Sequence, residues 1–256
     1  MRLKISIIVT LLLSLARVAS AQPGYEFEVY GTGIGPKGSS EMELNINFVP
    51  DGRREAEGGL LPSHRSLRSS LELAHTLNSW LQATVYATGF SGPDRGFSYV
   101  GNRLRVTAVA PAKWGFPLDL GIANEVTYAR AGFSENRWAY ELTPIIGKAF
   151  GPVSLTFNPA IERGLGKNSE HVIDLEPGGR VAYQFGDEAS VSMEYFAGLG
   201  GIGEIHAVRD QRHQLFGRIK GEIAPRLEMG LAAGRGFTPS SDRWVIATVF
   251  EYGLRK

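Results

Sequence analysis

From residue 41 onward the chain alternates between apolar and polar positions. In Glu41–Val49, Met42, Leu44, Ile46 and Phe48 fall on one face, while Glu43, Asn45 and Asn47 fall on the other. A period of two with one apolar and one polar face is the mark of a strand with one side in a nonpolar phase. Ser66–Leu77 repeats the pattern, setting Leu67, Leu71, Leu73 and Leu77 against Arg68, Ser70, Glu72 and Thr76. The same alternation predicts strands at Trp80–Phe90, Ser98–Val109, Leu118–Tyr128, Asn136–Lys148, Val153–Glu162 and Ile173–Gln184. It continues through Ala189–Phe196, Gln211–Ile223, Leu227–Gly234 and Arg243–Tyr252. This gives about twelve strands of roughly 8–13 residues, near the length that a tilted strand needs to cross a bilayer.

The connections sort into two alternating classes. Asn78-Ser79, Phe150-Gly151-Pro152, Phe185–Glu188 and Ala224–Arg226 are short, with Ala110–Pro117 the one long member of that class. Pro50–Arg65, Ala129–Glu135, Gly164–Val172 and Leu199–Asp210 are longer and polar, and Ser91–Phe97 is read as a further loop on their side. Short turns at one end and long loops at the other characterise transmembrane β-barrels. A soluble sandwich gives a similar strand spacing but does not need to sort its loops. The expected fold is therefore all-β: an up-and-down antiparallel transmembrane β-barrel of about twelve strands over residues 40–256, ten and fourteen being the alternative counts. Aromatics near the strand ends fit interfacial girdles. Phe90, Tyr99, Tyr128, Phe133, Trp138, Tyr195 and Trp244 fall toward the long loops, and Trp80, Trp114, Phe150, Tyr183, Phe185 and Tyr252 toward the short turns.

The N-terminus adds an address. Met1–Ala21 has a basic start (Arg2, Lys4), an apolar run from Ile5 to Leu15 and the small-residue site Ala19-Ser20-Ala21. That is the layout of a secretory leader cleaved before Gln22, and its apolar run falls short of the ~20 residues of a spanning helix. Export combined with sustained alternation points to the outer membrane of a Gram-negative cell. Residues 22–39 carry Phe27 and Val29 and then the run Gly31–Pro36, read as a periplasmic segment or a partial plug. Hydrophobic residues make up 43% of the chain, which suits a barrel because only every second strand residue meets lipid. A net charge of +1 gives no basic excess for nucleic acid, and the absence of cysteine removes lipoprotein anchoring, disulfides and thiolate metal sites.

The last predicted strand, Trp244–Tyr252, resembles the terminal β-signal that the barrel-assembly machinery reads, although Gly253-Leu254-Arg255-Lys256 follow its final aromatic. Over essentially the whole mature chain the sequence resembles uncharacterised proteobacterial outer-membrane β-barrel proteins labelled as transporters. The stretches EFEVYGTGI, NFVPDGRREAEGGLLPSHRSLRSSLELAH and ATVFEYGL carry the resemblance. It implies a fold and a location, with outer-membrane lipids as surroundings, and names no substrate.

Catalytic readings are weaker. His64-Arg65-Ser66 has the His-x-Ser spacing of outer-membrane phospholipase A, but the tempting asparagine, Asn78, lies at the far end of the strand from Ser66. At ~3.3 Å per residue the two are about 40 Å apart, so a membrane-embedded lipid hydrolase is a minor alternative and the expectation is no enzyme. His64, His75, His171, His206 and His213 form no metal-ligand pair, and Gly198–Gly203 lacks the strand–turn–helix context of a nucleotide loop. No cofactor is implied.

The polar strand faces carry the remaining chemistry. Alternation places Arg103, Arg105, Glu125, Glu141, Glu162, Asp174, Arg180, Glu222, Glu228 and Glu251 on the interior, together with Glu43, Glu72, Arg137, Glu176, Glu194, Arg218 and Lys220. On the lipid face a basic residue near the midplane costs ~2–4 kcal/mol, so consistent placement on one face argues for a polar lumen. Antiparallel pairing puts Arg103 beside Glu125, Glu125 near Glu141, Glu141 near Glu162 and Glu162 near Asp174. Glu222, Glu228 and Glu251 cluster at the short-turn mouth. Unpaired carboxylates in a pore attract cations. The expected function is passage of small solutes or ions through a lumen lined by these residues, cation-preferring and less so in acid. A closed structural or adhesion-type barrel with partner-binding loops at Pro50–Arg65 and Leu199–Asp210 is the first alternative.

Overall fold

The structure, a computed structural model, describes residues 26–56, 59–166, 169, 172–186 and 189–255. The leader, its cleavage site and His171 lie outside the described residues.

Twelve long strands form the molecule: β1 (Ser40–Asp51), β2 (Ser66–Asn78), β3 (Leu81–Gly92), β4 (Arg95–Val109), β5 (Asp119–Ala129), β6 (Trp138–Phe150), β7 (Val153–Leu165), β8 (Ile173–Phe185), β9 (Ala189–Gly198), β10 (Arg212–Ala224), β11 (Leu227–Gly236) and β12 (Trp244–Arg255). Each pairs antiparallel with its neighbours in the chain, and β1 pairs with β12 from Met42↔Tyr252 to Phe48↔Ile246. The sheet is thus a closed twelve-stranded barrel with no free edge, the condition for burying backbone N–H and C=O groups in lipid. A strand of twelve residues tilted by about 40° spans about 30 Å, the thickness of a hydrocarbon core.

The alternation orders the two surfaces. Leu73, Val85, Leu104, Val181, Met193, Ile219 and Ile246 are exposed on the outside, while Glu72, Thr84, Glu125, Glu141 and Glu194 are buried inside. Tyr99, Trp138, Tyr195 and Trp244 are exposed at the loop end and Trp80, Trp114, Phe150, Tyr183, Phe185 and Tyr252 at the turn end, as interfacial anchors should be.

Four details differ from the sequence-based expectation. The β3–β4 ladder runs on to Gly92↔Arg95, so residues 91–97 are mostly strand around a two-residue turn at Pro93-Asp94. Above an apolar band a ladder can extend without apolar side chains, which is why composition alone did not reveal it. Phe90 and Phe133 are not girdle residues. Phe90 shares the parity of the inward Thr84, Tyr86 and Thr88, and it packs at 5.4 Å on Phe133 in a buried cluster with Val100 and Leu61. Arg137 precedes β6 and is exposed. Residues 200–205, within the stretch read as an open loop, form a small hairpin that pairs Gly200 with Ile205 and attaches Gly201 to Asp174 of β8.

The ladder lapses in the wall beside two prolines. Between β6 and β7 the pairing stops after Leu142↔Ile161 and resumes at Ile146↔Phe157. Pro144 and Pro159 fall in this gap and carry no N–H to donate.

Candidate functional site

The interior is built from inward strand positions, and register fixes which of them meet. Glu125 stands opposite Glu141, Glu141 opposite Glu162, and Glu162 opposite Asp174, so four carboxylates cross β5–β8 at one level. Glu176 lies two residues further along β8. Arg105, not Arg103, is the register partner of Glu125, but the ion pair is made by Arg103, at 3.4 Å. Arg212 pairs with Glu176 at 3.0 Å. One oxygen of Glu125 and one of Glu176 are buried without a hydrogen-bond partner, and both residues line the same cavity.

Toward the turn end, Glu228 stands opposite both Glu222 and Glu251. Lys220 Nζ reaches Glu251 at 2.5 Å and Glu228 at 3.0 Å, so these two carboxylates share a cation. Glu222 is exposed and accepts a hydrogen bond from the backbone N–H of Arg226 at 3.3 Å, which ties it to its own turn. Arg180 stands opposite Glu194 and borders the cavity at the turn end. The Asn45 amide links Glu43 at 2.6 Å to Glu72 at 2.9 Å, joining β1 to β2.

The residues that alternation alone did not single out belong to the N-terminal segment and to its partners on the wall. Residues 26–39 run inside the barrel and reach the turn end, where Gly38 N–H donates to Thr76 O at 2.7 Å. The Glu26 carboxylate is shared by Arg103 and Arg105, the latter at 3.4 Å. The carbonyl of Phe27 accepts from Arg218 at 2.5 Å, and its ring packs 4.6 Å from Phe216 and 5.8 Å from Phe196. Asn158, at the ladder gap, holds Tyr30 at both ends: its Oδ1 accepts from Tyr30 N–H at 2.7 Å and its Nδ2 donates to Tyr30 O at 3.1 Å. Phe216 needs room for this, and Gly234 supplies it. A Cβ at Gly234 would lie 2.2 Å from the Phe216 ring.

The segment divides the interior. Toward the loops it leaves a cavity of about 70 Å³ bordered by the carboxylates of β5–β8. Toward the turns it leaves one of about 260 Å³ bordered by Glu43, Glu72, Arg105, Arg180, Lys220 and Glu251. Above the loop-end cavity the loops are tied together. Leu61 N–H donates to Gly132 O at 2.8 Å, Ser63 Oγ donates to Asp242, and Asp242 pairs with Arg68 at 3.1 Å.

The residues tested for hydrolysis do not assemble. The Ser66 hydroxyl is buried and donates to Ser63 O at 2.6 Å, His64 faces Asp51 at 3.5 Å, and Asn78 accepts from Trp80 N–H at the opposite end of β2. Among the described residues no three His, Asp or Glu side chains are grouped to hold a metal ion.

No family model and no curated protein matches the sequence. Solved structures do match the fold. The KdgM porin, solved in complex with disordered oligogalacturonate, superposes with a TM-score of 0.52 at 10% identity, covering 84% of this chain and 98% of the porin. A structure from work on the in-meso crystallization of membrane proteins superposes with a TM-score of 0.51 at 11% identity, covering 84% of both chains. At such identities the likeness is one of fold.

Proposed function

We propose that the chain is an outer-membrane channel for small solutes or ions, closed at rest by its own N-terminal segment. The observation that carries this reading is one length of chain lying inside the ring with a cavity bordered by charged side chains on either side of it. A water needs ~10–15 Å³ of such space, so both cavities hold several waters, and the obstruction between them is not wall packed against wall. A structural barrel filled by interlocking side chains would hold scattered single waters rather than a space of about 260 Å³. The leader, the closed ring and the apolar outer surface support insertion in the outer membrane, with the turn end periplasmic and β12 as the strand read by the assembly machinery.

In this reading Arg103, Arg105, Glu125, Glu141, Glu162, Asp174, Arg180, Glu228 and Glu251 line the pathway and Glu222 stands at its periplasmic rim. The carboxylates crossing β5–β8 outnumber the cations beside them, so a channel with the segment released prefers cations. Purified protein in a planar bilayer tests both statements. Parent protein should show only rare, brief openings and protein with its segment released a sustained current, cations being favoured in both, and replacing Glu125, Glu141 and Glu162 together by glutamine should lower the cation-to-anion permeability ratio. A bilayer that stays silent with parent protein, and with protein whose segment has been released, refutes the channel and leaves a closed structural barrel. Anion preference in the parent refutes the carboxylate wall.

A further inference from the structure

Glu26 is not part of the barrel, yet its carboxylate is held as a ligand would be. Its side chain is only 4% exposed, and each oxygen faces a different arginine of β4: Oε2 meets Arg103 Nη2, and Oε1 meets Arg105 Nη1 at 3.4 Å. Both guanidinium groups lie over the Tyr86 ring, at 4.2 Å for Arg103 and 4.9 Å for Arg105, and Arg105 also lies over the Tyr30 ring at 4.0 Å. Stacking on an aromatic face fixes the plane of a guanidinium and leaves its N–H groups aimed sideways at a carboxylate. Half of this arrangement belongs to the wall and remains when the segment leaves. Each arginine then keeps a second carboxylate, Glu125 at 3.4 Å for Arg103 and Glu72 at 3.6 Å for Arg105. Neither is stranded as a buried unpaired charge, so exchanging one outside carboxylate for another is not blocked by the cost of breaking a buried pair.

We propose that Arg103 and Arg105, on the face of Tyr86, form a binding site for the carboxylate of a solute, occupied at rest by the chain's own Glu26. An acidic solute that reaches the pair competes with Glu26 and releases the segment. Its opening consequence rests on the channel reading; the binding step does not. The arginine pair sets what releases the segment, and the carboxylates of β5–β8 set which ions pass once it is released.

The test follows the segment itself. The chain has no cysteine, and a Cβ at Gly33 meets no atom within 4 Å, so Gly33→Cys places a single thiol for a nitroxide label with no clash at its Cβ. In the full-length protein in lipid vesicles the label should be immobilised at rest. Succinate should mobilise it saturably, at roughly tenfold lower concentration than chloride, since a carboxylate accepts two parallel N–H···O bonds from a guanidinium fork and a spherical anion does not. Succinamide at matched ionic strength should not. Glu26→Gln in the same background should be mobile without succinate and indifferent to it, with heat-modifiable gel mobility confirming that its barrel has formed. Equal mobilisation by succinate, succinamide and chloride overturns the site, as does a Glu26→Gln segment seated like the parent's. A label that responds in a protein that never conducts retains the site and removes the channel. Current without a response does the reverse.

Discussion

Asn158→Ala isolates the grip on the segment from the charges around it. Asn158 is buried at 4% exposure, and its side chain makes two good hydrogen bonds, both to the main chain of Tyr30. The hydrogen bond that its side chain makes to the wall, to Pro144 O, is long at 3.4 Å. A net hydrogen bond contributes about 0.5–1.5 kcal/mol, so losing both weakens seating by about 1–3 kcal/mol. At about 1.4 kcal/mol per factor of ten, the released fraction should rise by a factor between about five and about 140. The cavity beside Tyr30 admits water, which rescues part of the loss, so the expected value is near the lower end, about tenfold. A label at Gly33→Cys reads the released fraction directly, and open probability in a bilayer should rise in parallel. The temperature at which the heat-modifiable band converts should stay where it is, because the barrel ladder does not use this side chain. A released fraction within twofold of the parent's would show that Asn158 does not hold the segment. A lowered conversion temperature would show that it bridges the gap left by Pro144 and Pro159 instead.

Two further outcomes test the barrel and its orientation. Leu73→Arg puts a charge on the exposed outer face near the middle of β2 and should destabilise folding into phosphocholine vesicles by about 2–4 kcal/mol, read from denaturant titration; an unchanged midpoint would remove lipid from that face. A thiol at Arg54→Cys should react with an impermeant maleimide on intact cells and one at Ser79→Cys should not, and the opposite result would invert the assignment of loops and turns.

The sequence made the wall legible and the occupant illegible, for one physical reason. A strand's period of two is set by its own backbone, so face and register can be computed locally, and the Glu125–Glu141–Glu162–Asp174 level followed from counting outward from each turn. Residues 26–39 have no backbone partner of that kind. Glu26 answers to β4, Tyr30 to β7 and Phe27 to β9 and β10, contacts that span up to 191 residues of sequence. One signal of them was present. Phe216 sits at an inward position among Gln214, Arg218 and Lys220, and Phe196 follows Glu194 inward on β9. An aromatic ring pointing into a water-filled lumen forgoes about 25 cal/mol for each Å² it leaves wet, so inward rings on neighbouring strands require an apolar partner inside. β12 adds Val245, Ala247 and Val249, buried on the same inner face. In residues 22–39 the adjacent apolar pair with the parity of a single face is Phe27 and Val29, flanked by Glu26 and Glu28 on the other. Phe27 is the residue found among those rings, and Val29 is fully buried beside it. The apolar residues that break the barrel's inward polarity therefore mark where its own chain turns back inside, and the arginines left on the opposite side of that path mark where the acidic edge of the segment must lie.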